Sequence, residues 1–382
     1  MKIKQLFLLS VSISILALIV GMPLKQQAAK VNRQNPQIVS QVLSTNSAAK
    51  QERVDEQVNS GLISADELLY SDQGNLDVAI ADYTEDIRLN PDDANAYNNR
   101  GIAYRHQGNL DKAIADYSEA IRLNPELANA YNNRGIAYRQ QGNLDGAIAD
   151  YTEAIRINPE DATAYNNRGI AYRQQRNLDD AIADYTEAIR INPEFDSAYY
   201  NRGIAYRQQR NLDGAIADYT EAIRINPNYA TAYYNRGNAY RQQTNLDGAI
   251  EDYTEAIRIN PDYANAYYHR GIAYSDGRNL YKAIADYTEA IRLNPELANA
   301  YYGRGNAYSS QENLDKAISD YTEAIRINPN YANAYYNLGN AYSQQENIDL
   351  ALENFQKAAE LYRQQGKQAD YQDALERIRE LE

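Results

Sequence analysis

The 382-residue chain contains no cysteine. That excludes a disulfide framework and a thiolate metal site, and it leaves the redox compartment unmarked. Histidine is nearly as scarce: His106 and His269 are the only two, 163 residues apart, too distant within the repeat described below to share a metal ion. Neither common glycine-rich phosphate-cradling pattern occurs; the glycines fall where helices approach each other or the chain turns. Carboxylates are abundant, but they recur at a fixed interval instead of converging. These absences point away from catalysis, and the expectation is a non-enzyme without cofactor.

Long apolar runs are also missing, with one exception. Lys2 and Lys4 precede a mostly apolar stretch over residues 6–20, the layout of a secretory signal and shorter than an ordinary membrane-spanning helix. A buried amphipathic helix is the competing reading, but the run is apolar on every side and lies outside the repeats. Gln stands two positions before Ala28 and Ala29, where a small residue would favour cleavage, so residues 1–30 read either as a removed signal or as a retained anchor. Lys25, Lys30 and Arg33 follow the run, so charge asymmetry does not orient an anchor. The expected location is exported, periplasmic or otherwise extracytoplasmic, or membrane-anchored. Residues 31–59 are polar and poor in large apolar groups, the composition of a flexible linker.

The net charge is −14 and unevenly placed: the first 60 residues carry seven cations against three anions, so the remainder is more acidic than the whole. Such a surface repels a phosphate backbone, which argues against nucleic acid as a partner.

What the chain does have is repetition. The phrase AIADYTEAIRINP stands at residues 147–159, 181–193 and 215–227, and Asn-Pro recurs every 34 residues from Pro91 to Pro329. Within residues 94–127, Tyr97, Gly101 and Tyr104 form one stripe of a first helix. Leu110, Ala113, Ile114, Tyr117, Ala120 and Ile121 form the stripe of a second. Asn109 and its equivalents precede the second helix, where the side chain can accept from free amides, each cap contributing about 1 kcal/mol. Proline closes the unit, because the residue before it is pushed out of the helical region.

These residues resemble the tetratricopeptide repeat (TPR) family. The pattern aromatic, Gly, Tyr, Ala, aromatic, Ala, Pro is met by Tyr97, Gly101, Tyr104, Ala113, Tyr117, Ala120 and Pro125. Residues 60–93 form a degenerate first unit, 94–365 eight units, and 366–382 a capping helix with Tyr371, Leu375 and Ile378 inward and Asp373, Glu376, Arg377 and Arg379 toward water. The resemblance implies an all-α fold: a right-handed superhelical solenoid of antiparallel helix pairs, since one pair cannot bury both its faces alone.

One column departs from the family pattern, which favours leucine there. Arg100 and its equivalents through Arg304 coexist with Asp116 and its equivalents through Asp320, and in the last unit both change together, to Leu338 and Asn354. The joint change suggests an ion pair joining the two helices of each unit; separate solvated charges are the alternative.

In this family, the resemblance implies, the concave face lined by first helices holds an extended peptide or a partner's helix. Off the core stripe, the Asn98 column changes to tyrosine from Tyr200 onward, and the Arg105 column changes to serine from Ser275. The candidate groove residues are Asn99, Asn133, Arg139, Asn167, Arg173, Tyr200, Asn201, Arg207, Tyr234, Asn235, Arg241 and Tyr268. Arginine forks bind carboxylates, tyrosines stack, and asparagine amides both donate and accept. The alternative is a merely soluble inner face with tyrosines stacking between units. Family members that grip chaperone tails use lysines in the Asn95 and Asn98 columns. This chain has Asn, Thr, Ser or Tyr there, although its Asn99 column matches the asparagine of that clamp. The expected function is a protein-interaction scaffold for a protein or peptide, with an acidic segment favoured. Self-assembly, or membrane-tethered assembly of other proteins through residues 6–20, are the alternatives.

Overall fold

The structure, a computed structural model, describes residues 73–382. The apolar segment 1–30, the linker 31–59 and the opening of the first unit lie outside the described residues. Among the described residues all regular structure is helical, an all-α superhelical repeat fold. The chain divides into two compact units, Met1–Asp116 and Tyr117–Glu382.

The described part of the first unit holds α1 (Gln73–Leu89), α2 (Ala94–His106) and the start of α3 (Leu110–Leu123). The second unit continues as helix pairs: α4 (Ala128–Gln140) with α5 (Leu144–Ile157), α6 (Ala162–Gln174) with α7 (Leu178–Ile191), α8 (Asp196–Gln208) with α9 (Leu212–Ile225) and α10 (Ala230–Gln242) with α11 (Leu246–Ile259). The pairs α12 (Ala264–Asp276) with α13 (Leu280–Leu293), α14 (Ala298–Ser310) with α15 (Leu314–Ile327) and α16 (Ala332–Gln344) with α17 (Ile348–Gln364) follow, and α18 (Gln368–Leu381) ends the chain.

The boundaries are written locally. Asn143 and Asn211 open α5 and α9, their Oδ1 atoms accepting from the amides of Gly146 and Gly214 at 3.0 Å. The asparagine before each proline does a second job: Asn192 Oδ1 accepts from the amide of Glu194 at 3.1 Å, closing a turn across the proline. Between the helices of a pair the chain passes through the left-handed region, at Gly142 with φ 81° but at Arg176 and Arg210 with φ 64° and Thr244 with φ 61°. Only glycine takes that conformation without a Cβ penalty.

Packing adds two alanines to the expected stripe of the first helix, whose tyrosines are only partly covered. In α6 the fully covered residues are Ala164 and Ala171, with Gly169 also buried, while Tyr165 and Tyr172 are half-buried. The cause is that α6 lies between α5 and α7 and must fit small side chains against both. Gly169 marks the closest approach, since a Cβ there would sit 2.7 Å from Tyr185 Cε1, a ring with no exposed surface. At the carboxy terminus Tyr371 and Leu375 pack on Ala358, Leu361 and Tyr362 as expected, with Ala374 fully buried among them. Arg377 does not turn to water as expected: its guanidinium lies 5.7 Å from the Phe355 ring centre and its Nε is buried.

Candidate functional site

Within the second unit a lattice of arginines holds successive helix pairs together. Arg168 donates from Nε and Nη2 to the two oxygens of Asp184 at 2.8 and 2.7 Å, so the pair inferred from the joint substitution is present and bidentate. Its third nitrogen, Nη1, donates to the hydroxyl of Thr152 on the preceding pair at 3.0 Å. The guanidinium carbon also sits 5.6 and 5.9 Å from the ring centres of Tyr165 and Tyr172. The same carboxylate pairing recurs at Arg134, Arg202, Arg236, Arg270 and Arg304. In Arg134 the hydrogen bonds it donates to Asp150 raise the guanidinium pKa above its ordinary value, against the opposing effect of burial. This column is structural: the guanidinium nitrogens of Arg168 are all engaged by its neighbours.

In the second unit the first helices α4, α6, α8, α10, α12, α14 and α16 touch one another in succession, so they line a continuous face. Three columns of the candidate groove lie on it. The asparagines are half-buried and already tied to the previous pair: Asn167 Nδ2 donates to Asn132 Oδ1 at 3.1 Å, and Asn201 Nδ2 to Asn166 Oδ1 at 3.0 Å. Asn235 donates instead to the Tyr200 hydroxyl and to the Thr231 carbonyl, both at 2.9 Å. Asn133 is engaged as well. The donors of Asn167, Asn201 and Asn235 thus serve the scaffold, while their Oδ1 atoms accept nothing among the described residues.

The arginine column behaves differently from the lattice. Arg139, Arg173 and Arg207 are half-buried, and no carboxylate among the described residues lies within ion-pair distance of them. Their Nε atoms are buried without a hydrogen-bond acceptor. Arg173 lies beside the hydroxyl of Tyr185 without donating to it at good geometry. Burial pushes that hydroxyl's pKa up to about 12, and Arg173 offsets part of the rise. Arg241 ends the cationic run, because Asp276 of the next pair approaches its Nη1 at 3.8 Å.

The tyrosine column is more occupied than its sequence suggests. Tyr200 meets Tyr219 and Tyr229 at ring-centre distances of 5.9 and 4.9 Å, and Tyr234 meets Tyr253 and Tyr263 at 6.0 and 5.0 Å. Tyr268 meets Tyr287 at 6.0 Å. These rings therefore stack within and between pairs, the alternative that sequence left open. His269 is enclosed with them, 5.4 Å from Tyr234 and 5.1 Å from Tyr268, and burial followed by the nearby Arg241 charge pushes its pKa down to about 4. In the first unit Asn99 Oδ1 accepts from Asn98 Nδ2 at 3.3 Å, and Arg105 Nη2 lies 3.3 Å from His106 Nε2.

Family models described as TPR repeat match residues 68–105, 101–142, 135–176, 237–276, 279–311 and 305–346. Tetratricopeptide repeat models match 166–230, 218–251 and 332–365. The chain is a TPR protein. The TPR fold makes it a protein-interaction scaffold of a typically non-catalytic kind. Among solved structures it is similar to YrrB, described as a TPR protein with an unusual peptide-binding site, at 25% identity and TM-score 0.44 over 48% of this chain and 95% of that one. It is also similar to a tetratricopeptide repeat protein from Parabacteroides merdae, at 23% identity and TM-score 0.48 over 65% and 98% of the two chains. A third is PilF of Pseudomonas aeruginosa, at 18% identity and TM-score 0.49 over 54% and 94%. No curated protein sequence matches. No described helix of this TPR protein is long and apolar enough to cross a membrane.

Proposed function

We propose that this TPR protein binds an acidic, extended segment of a partner protein along the face made by α4, α6, α8 and α10. One observation carries the reading. Both other helical arginine columns of the second unit are matched by carboxylates, as in Arg202 with Asp218 and Arg224 with Glu221, whereas Arg139, Arg173 and Arg207 have none among the described residues. Three unmatched guanidiniums at equivalent places on successive helices form a cationic strip on an otherwise acidic protein. Half-buried guanidiniums form stronger, more directional hydrogen bonds to carboxylate than exposed lysines do. Stacked tyrosines beside the strip, from Tyr200 onward, supply a rigid wall.

Fluorescence anisotropy with a labelled glutamate-rich peptide tests this. The double substitution Arg173→Glu, Arg207→Glu is expected to weaken binding at least about a hundredfold, whereas Arg156→Glu on α5 leaves it within about twofold. Equal binding by both variants refutes the groove. We further propose that the scaffold acts after export, held by or released from residues 6–20. Mass spectrometry of the mature amino terminus from the native host distinguishes the two, and an intact terminus in a soluble cytoplasmic fraction refutes export.

A further inference from the structure

We infer that the bound segment is a left-handed polyproline II helix carrying a carboxylate at every third residue; this rests on the acidic-segment reading above. Arg139, Arg173 and Arg207 occupy equivalent positions on α4, α6 and α8, first helices that touch in succession. Packed helices lie about 8–10 Å apart between axes, which sets the order of spacing expected for the cations.

Three peptide conformations can be held against this spacing. A polyproline II helix advances about 9 Å in three residues and completes one turn, so every third side chain returns to the same face. A β-strand advances about 10 Å in three residues, but side chains alternate sides, so the third points away. An α-helix needs about six or seven residues for that rise, at 1.5 Å each. Only the first presents one carboxylate per guanidinium from consecutive triplets.

A second observation has the same period. Asn167 and Asn201 donate their amides to Asn132 and Asn166, at 3.1 and 3.0 Å, and that contact fixes each side chain in one orientation. Each Oδ1 is then left as an acceptor, once per helix pair. Polyproline II leaves its own backbone N–H groups without internal partners, so one amide per triplet is available to meet one Oδ1. Proline is therefore tolerated at the two other positions of each triplet and excluded at the one whose amide is used. The strip also has an end: Asp276, 3.8 Å from Arg241, both occupies that cation and repels a further carboxylate, which limits the strong register to three charges.

The test uses the full chain and two synthetic peptides of identical composition. One is (Glu-Pro-Gln)4; the other permutes the same residues so that the glutamates fall together. The period-three peptide is expected to bind at least about tenfold tighter, and Arg173→Glu is expected to abolish the difference. Equal affinities overturn the three-residue register while leaving an acidic partner in place. If neither peptide binds in low salt, the acidic-segment reading fails with it.

Discussion

Arg202 holds Asp218 by two hydrogen bonds of 2.8 Å, from Nε and Nη2, and gives its remaining nitrogen to the Thr186 hydroxyl on the preceding pair at 2.9 Å. One guanidinium thereby connects three helices. Burial is the largest single influence on the Arg202 guanidinium and lowers its pKa, but the hydrogen bonds to Asp218 and that carboxylate's charge together outweigh it, so the net shift is upward. Such a pair fixes geometry more than it adds net stability, because both charges have left water.

Removing one partner is therefore much worse than removing both. Arg202→Leu alone strands a nearly buried carboxylate and is expected to cost about 3–5 kcal/mol in urea unfolding. Adding Asp218→Asn, which reproduces the Leu338 and Asn354 of the last pair, is expected to restore most of that loss. A double variant as unstable as the single one contradicts this account.

Gly169 faces a ring that cannot yield. Its missing Cβ would lie 2.7 Å from Tyr185 Cε1, and Tyr185 has no exposed surface. Gly169→Ala is expected to lower stability by about 1–3 kcal/mol despite alanine's better helix propensity. A rise in melting temperature sinks the claim.

Thr244 invites the opposite change. It is a β-branched residue at φ 61°, where Gly108 and Gly142 stand in equivalent turns. Thr244→Gly is expected to stabilise the protein by about 1 kcal/mol, read as a later denaturation midpoint.

Stability should fall at both ends of the pH scale. Tyr185 and Tyr219 have hydroxyl pKa values pushed up to about 12 by burial, above the unfolded value near 10. Their contribution is complete below about pH 10 and is lost as pH rises through 12. Tyrosinate absorbance should accordingly show a late class appearing together with loss of helix. On the acid side His269, held down to about 4, contributes stability above its unfolded value near 6.5 that is lost as pH falls through 4. His269→Asn, the residue its column carries in most other pairs, should remove that part of the acid sensitivity; an unchanged acid limb contradicts it.

Much of the fold was legible because its signals are short-range. Asn143 and Asn211 act on amides three residues away, and the Asn-Pro turns close within four residues. The Arg–Asp pair was readable too, since Leu338 and Asn354 change together. Its third partner was not. The Thr152 hydroxyl meets Arg168 only because α6 lies against α5, and nothing in the local pattern marks it. The tyrosines from Tyr200 onward read equally as groove residues or as stacking between pairs, and only the structure places Tyr200 on Tyr229 at 4.9 Å. Of the candidate asparagines, Asn167 and Asn201 proved to have their donors committed to the neighbouring pair.

The sequence by itself determined the repeat, the start and end of the second helix in most units and the identity of the family. Caps, prolines and apolar spacing act over a few residues, and repetition multiplies them until they are unmistakable. Only the tertiary structure decided which arginines are neutralised by a carboxylate and which are half-buried without one among the described residues. Arg168 and Arg173 sit five positions apart on one helix and differ in nothing but direction: one turns to Asp184 and Thr152, the other to a face with no carboxylate among the described residues. Charge pairing depends on which helix lies alongside, and that is settled only when the pairs stack.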